Sequence, residues 1–202
     1  TQMLAWTTGD VTTCDVTDIS LSNMSELFKN KNDFDQDLSA WDTSSVTDMN
    51  GMFAGATSLT SVSLPDTGAV TSMSCMFCSA TSLTSVSLPQ TGALKTMSAM
   101  FAYATSLTSV YLPQTGNVWN MEMLFLNSPN FNQDIGAWDT SKVTTMWKMF
   151  DNATNFNKDI GDWDTSSVTR MERMFYEATN FNQNIRKWDV DVSVNLDSMF
   201  SN

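Results

Sequence analysis

Histidine is absent from this 202-residue chain, and lysine and arginine together number only 10 against 22 acidic residues. The first absence removes the side chain that titrates nearest neutral pH and the commonest zinc ligand. The second leaves a net charge of −12 and a pI near 4.1, which argues against a protein that tracks nucleic-acid phosphates or docks on anionic membranes. Charged residues of both signs make up only 16% of the chain, so solubility falls to serine and threonine, which supply 51 residues. No apolar run approaches the roughly 18 residues of a membrane-spanning helix. Three cysteines, an odd number, imply no disulfide framework. The first residue, Thr1, follows neither an initiator methionine nor a signal sequence, which reads as a processed or trimmed form.

What the chain has in abundance is repetition. A phenylalanine preceded by Met or Leu recurs at Phe28, Phe53, Phe77, Phe101, Phe125, Phe150, Phe175 and Phe200, at intervals of 24 or 25 residues. Eight markers in register predict one solenoid domain over residues 1–202, because each coil must bury its apolar face on its neighbours. A propeller of WD repeats, which the "AWDTS" motif invites, needs a period of about 40–45 residues. The array divides into an opening coil (1–27), a long-form repeat (28–53), three short-form repeats (54–125) and three long-form repeats (126–200).

The two forms differ in the first half of the coil. In the short form Leu59, Val62 and Leu64 have the L-x-x-L-x-L spacing of a leucine-rich-repeat strand, and the pattern returns at Leu83, Val86, Leu88 and at Leu107, Val110, Leu112. Prolines 65, 89 and 113 then end each strand. In the long form Phe131, Ile135 and Trp138 stand as inward anchors, and "VTTCDV" at 11–16 predicts an additional opening strand. The second half has another period: Val46, Met49, Phe53 and Ala56 are spaced as one face of a short helix, a set repeated in later coils. The expectation is therefore an α/β solenoid with one short parallel strand and one short helix in each 24–25-residue coil.

The stretch "LTSVSLPDTGAVTSMSCMFCSATSL" resembles the BspA-like, Treponema-type leucine-rich repeats, and "MFDNATNFNKDIGDWDTSSVTRMERMF" resembles the related Mycoplasma lipoprotein repeats of unknown function. The resemblance covers nearly the whole chain. It implies a right-handed leucine-rich-repeat superhelix, a surface-exposed or secreted setting, and adhesion to host or matrix proteins, without specifying any binding residue.

Several motifs have a structural and a functional reading. Asp42, Asp139, Asp164 and Asp189 each follow a tryptophan; they read as turn or cap residues, with a calcium ladder as the alternative. The methionines four residues before the markers from Phe28 to Phe175 read as core filling rather than a soft-metal site. Cys75 and Cys78 spell "CMFC" without a second pair and read as buried, inert thiols. No metal, cofactor or catalytic constellation of nucleophile, base and orienter stands out, so no enzyme activity is expected.

The candidates for partner binding lie on the outward positions of the strand face: Gln36, Asp37, Asn132, Gln133, Asp134, Asn157, Asp159, Asn182 and Gln183 in the long form. Departures from the repeat add Tyr111, where siblings are Ser63 and Ser87, and Trp119 and Trp147, which neighbouring coils would place in one aromatic patch. Large aromatics on a hydroxyl-rich surface are common interface anchors. The function expected is a non-catalytic protein-binding or adhesion module, extracellular or at the cell surface. A structural subunit of a larger, membrane-associated or organellar assembly is the alternative. It would have a neighbouring subunit on the final coil, because only Ser201 and Asn202 follow Phe200 and no polar capping repeat does. Ice binding, raised by the regular Ser/Thr rows, is the lesser alternative.

Overall fold

The structure is a computed structural model, which describes residues 22–201. Its coils stack in parallel at the period of the sequence. One seam runs through the whole stack as bridges that pair Asn23, Asp48, Ser72, Thr96, Asn120, Thr145, Arg170 and Asn195 in succession. A second seam is a parallel sheet of three strands, β1 (Ser61–Ser63), β2 (Ser85–Ser87) and β3 (Ser109–Tyr111), in the order β1-β2-β3. Register is one full coil, with Val62 opposite Val86 and Val86 opposite Val110. Each of these valines is buried between two outward neighbours, as strand alternation requires.

The core is a set of side-chain columns along the stack. The eight marker phenylalanines form a continuous ladder with ring centroids 5.4–5.7 Å apart and nearly parallel planes. In the long coils a second column, Phe131, Phe156 and Phe181, packs beside it at 3.8–4.0 Å from the marker rings. The methionines at positions 49, 73, 97, 121, 146 and 171 are fully buried against the ladder, as their spacing predicts. So are most residues directly before the marker, among them Met52, Met76 and Met100.

The predicted helices are not there. No helix occurs among the described residues, and the second half of each coil is a run of tight turns. Val46, Met49, Phe53 and Ala56 do share a buried face, but the backbone uses its hydrogen bonds differently. The N–H groups of Met49, Gly51, Phe53 and Gly55 donate to carbonyls of the next coil at 2.7–3.0 Å, while Met52, Ala54 and Ala56 close turns onto residues three earlier. The physical reason is spacing. A helix with side chains is about 10–12 Å across, and ladder rings about half that distance apart leave no room for one in every coil. The α/β expectation is corrected to a stack of turns and short parallel strands.

The turn ladder places residues in the left-handed region at regular places. Gly51 and Gly55 have φ of 60° and 73°, and thirteen non-glycine residues among those described also have positive φ. Such a conformation costs about 1–2 kcal/mol for a residue with a Cβ, a cost offset by bonds between coils. Gly51→Ala therefore tests the fold by its sign. In a helix interior the change would stabilise by about 0.5–1 kcal/mol; here a loss of about 1 kcal/mol is expected in urea denaturation. A gain in stability would argue for the helix.

Two other expectations are corrected. Among the described residues strands form only in the short-form coils; the long-form segments around Phe34, Phe131, Phe156 and Phe181 carry no strand. Cys75 and Cys78 are not buried free thiols but a half-buried disulfide across one turn. Cys78 N–H donates to Cys75 O at 3.2 Å, and that turn brings the two Cα atoms to 4.9 Å, within disulfide reach. The predicted opening strand at 11–16 lies outside the described residues.

Candidate functional site

The outer surface of the three-stranded sheet is built from hydroxyls because the short form places Ser at every outward strand position but one, which Tyr111 takes. Ser61, Ser63, Ser85, Ser87, Ser109 and Tyr111 occupy it. Beside β1, residues Asp35–Leu38 of the preceding long coil form the wall of a cleft of about 560 Å³ whose floor is the sheet. Tyr111 lies at the other end of this cleft, 56% exposed. The structure thus gathers three of the sequence candidates, Gln36, Asp37 and Tyr111, around one concavity. Its walls carry carboxylates but no lysine or arginine.

A second depression, about 500 Å³, lies over the last long coils and is lined by Asn130, Asn132, Asn155, Asn157 and Asn180. Here side-chain amides replace the missing strand ladder. Asn157 N–H donates to Asn132 Oδ1 at 3.0 Å, Asn182 N–H donates to Asn157 Oδ1 at 3.0 Å, and Gln183 Nε2 donates to Asn157 Oδ1 at 2.7 Å. These candidates are consequently brought together, though with much of their hydrogen-bonding capacity already engaged. Asp134 and Asp159 line a third hollow with Asp162.

The two tryptophans of the expected patch differ in their surroundings. Trp119 is 46% exposed in the column of Thr47, Thr71 and Lys95, whose backbones bond in series. Trp147 is half-buried and lies between two cations, Lys148 Nζ at 4.9 Å and Arg170 Cζ at 5.2 Å from its ring centre. No ring contact joins Trp119 to Trp147 among the described residues.

Gln133 has a structural part that sequence reasoning missed. Val110 N–H donates to its Oε1 at 2.6 Å and its Nε2 donates to Val110 O at 2.8 Å. One side-chain amide thereby imitates a neighbouring strand and closes the free edge of β3. Also missed was a column of buried threonines: Thr67, Thr91, Thr115, Thr140 and Thr165 each donate a hydroxyl to a backbone carbonyl of the next coil at 2.5–3.1 Å. Thr43 does the same towards Asp66 O. The signal was available, since this threonine is common to both repeat forms while its neighbours change.

The Trp-Asp carboxylates bind their own turns. Asp42, Asp139 and Asp164 each accept the N–H (3.0 Å) and the hydroxyl (2.6 Å) of the serine two residues on. Those bonds, the serine hydroxyl's first, hold all three carboxyls below the ordinary aspartate range. Asp189 departs from this pattern; Asp191 takes the turn instead, accepting Ser193 N–H at 2.8 Å. Among the described residues no cluster of three or more acidic, Cys or His side chains is arranged to hold a metal ion. One buried carboxylate stands apart: Asp151, whose pKa is raised by burial against the opposing pull of Arg173, 3.0 Å away. No helix among the described residues is long and apolar enough to cross a membrane.

The chain is similar in structure to a leucine-rich repeat protein from Eubacterium ventriosum, with 19% identity and a TM-score of 0.38, over 45% of this chain and 24% of that one. It is also similar to a chain of the Toll–Spatzle complex of Drosophila, with 16% identity and a TM-score of 0.35, over 73% of this chain and 25% of that one. The chain thus spans about a quarter of the length of either structure. No curated protein matches it. Two overlapping stretches, 2–112 and 95–202, match one family along nearly the whole sequence, and the chain therefore belongs to the family described as "Mycoplasma protein of unknown function, DUF285".

Proposed function

We propose that this protein is a non-catalytic protein-binding module of the BspA-like leucine-rich-repeat kind, secreted or displayed at a cell surface, that holds its partner on the strand side of the stack. The observation that carries this reading is the cleft over β1–β3, where an exposed tyrosine stands among short hydroxyl side chains. A rigid parallel sheet presents those groups without an ordering cost, and a large aromatic on such a floor supplies an anchor. The acidic wall favours partners with basic surfaces and speeds their encounter. Nothing in the hydroxyl rows activates a nucleophile: no serine of the sheet is paired with a base, and histidine is missing altogether.

Immobilised protein, presented with purified fibronectin, laminin, fibrinogen and collagen, is expected to bind at least one of them. Tyr111→Ala is expected to weaken that binding about tenfold or more, equivalent to about 1.4 kcal/mol. Absence of binding to the whole panel, or binding that ignores Tyr111→Ala, would sink the reading.

A further inference from the structure

The boundary between the repeat forms leaves the sheet with two edges, and the protein treats them differently. At β3 the edge is closed, because the Gln133 amide occupies both the N–H and the C=O of Val110. At β1 the geometry is reversed. Leu64 N–H turns towards β2, reaching Ser87 O at 3.2 Å, and Val62 pairs with Val86 on the same side. Alternation along a strand then turns the backbone groups of Ser61 and Ser63 the other way, towards the preceding coil. Ahead of the strand that coil supplies Asn32 O, which accepts Ser58 N–H at 3.0 Å, and the Asp35 carboxylate, which accepts Thr60 N–H at 2.9 Å and the Thr60 hydroxyl at 3.0 Å. Among the described residues, no hydrogen bond reaches Ser61 or Ser63 from that side.

Gln36, the counterpart of Gln133, is on the wrong side to repeat the closure. The amides that seal this stack reach back to the preceding coil: Gln133 to Val110 and Gln183 to Asn157. Closing β1 would require the amide to reach forward. The side chains of β1 itself are serines, too short to fold over their own edge. The cleft therefore opens where a strand is missing, with Asp35–Leu38 as its far wall.

We propose that β1 is a strand-addition site, at which an extended peptide segment carrying lysine or arginine enters the cleft and pairs with the backbone of Ser61–Ser63. This rests on the protein-binding reading and names the partner class for the same cleft. Edge strands in stable proteins are commonly blunted by charged side chains, prolines or bulges, whereas Ser61 and Ser63 offer little obstruction, and Pro65 lies beyond the strand. Backbone pairing gives affinity without demanding sequence, and wall chemistry adds the selection. Asp35 and Asp37 supply negative charge with no lysine or arginine in the lining to answer it, so a basic side chain at mid-segment complements the cleft. The same charge disfavours the other obvious occupant, a second copy of this chain: edge-to-edge pairing would bring two acidic walls and two net charges of −12 together.

The test follows the Ser63 amide by NMR hydrogen exchange in the full chain. In the free protein Ser63 is expected to exchange at least tenfold faster than Val62 and Leu64; protection already present would mean that the protein occupies its own edge, and would overturn the proposal. The probe is a capped Thr-Val-Lys-Val-Lys-Val-Thr peptide. It is expected to protect Ser63 at least tenfold, while its glutamate version and a version N-methylated at alternate residues do not. Ser63→Pro, which removes only the N–H facing the cleft, is expected to lower peptide affinity at least tenfold while leaving Val110 protection intact. Should that variant unfold, the N-methylated peptide still decides. Binding without a change at Ser63, or equal binding of the glutamate peptide, overturns the proposal. If the peptide fails while Tyr111→Ala still weakens matrix-protein binding, strand addition falls and the binding module stands. If matrix binding fails while the peptide protects Ser63, the edge site survives without the adhesion role.

Discussion

Phe101→Ala is expected to destabilise the protein by about 3–5 kcal/mol, the range for removing a fully buried aromatic ring. Phe101 has no exposed surface, and its ring stacks on Phe77 at 5.7 Å and on Phe125 at 5.6 Å. Those two contacts join the middle of the ladder, so the cavity would lie at the interface on which both halves of the stack depend. Collapse cannot readily fill it, because the flanking coils are held at fixed separation by backbone bonds such as Phe77 N–H to Met100 O at 2.9 Å. In a solenoid, stability is close to a sum of coils and their interfaces, and weakening a central interface can divide the transition in two. Phe200→Ala is the control: that ring is 54% exposed and contacts the ladder on one side, so a loss below about 1 kcal/mol is expected. Equal losses for the two variants in urea denaturation would show that the ladder is not the axis of stability.

Gly161→Ala is expected to cost about 1–3 kcal/mol, the scale of forced overpacking. A Cβ at this position would collide with the backbone oxygen of Asn184 in the next coil. That oxygen is held by the chain rather than by a rotatable side chain, so the coils themselves must separate. The strain would fall on the amide ladder nearby, where Asn182 N–H and Gln183 Nε2 both reach Asn157. Loss of the Asn182 amide's protection should therefore accompany the loss in stability. Gly92→Ala supplies the contrast, since its Cβ would meet only the end of the Gln114 side chain, at 3.3 Å. A cost at Gly92 as large as at Gly161 would rule out backbone approach as the cause.

Much of this architecture is written in the residues. The period, the Phe and Met columns and the turn-forming aspartates all follow from apolar spacing and from side chains that bond locally. The Asp42, Asp139 and Asp164 turns need only a serine two residues on, which the sequence displays. The candidate site was legible in outline: outward strand positions were identifiable from alternation, and Tyr111 from its break with Ser63 and Ser87.

Apart from the Cys75–Cys78 disulfide, which spans a single turn, the reading failed where the deciding contact lay a full coil away. The 3-4-3 spacing of Val46, Met49, Phe53 and Ala56 suits a helix, but it suits a run of turns equally once a neighbouring coil accepts every second N–H. Whether Trp119 meets Trp147 depends on coil packing, and whether β3 has an open edge depends on which way Gln133 reaches. By itself, then, the sequence determined the repeat, the buried columns and the outward hydroxyl rows, because these rest on spacing and polarity along one chain. Tertiary structure alone decided the turn conformation, the closure of β3 by Gln133 and the open edge of β1, because each depends on what the adjacent coil, about 5 Å away, offers in distance and hydrogen bonds.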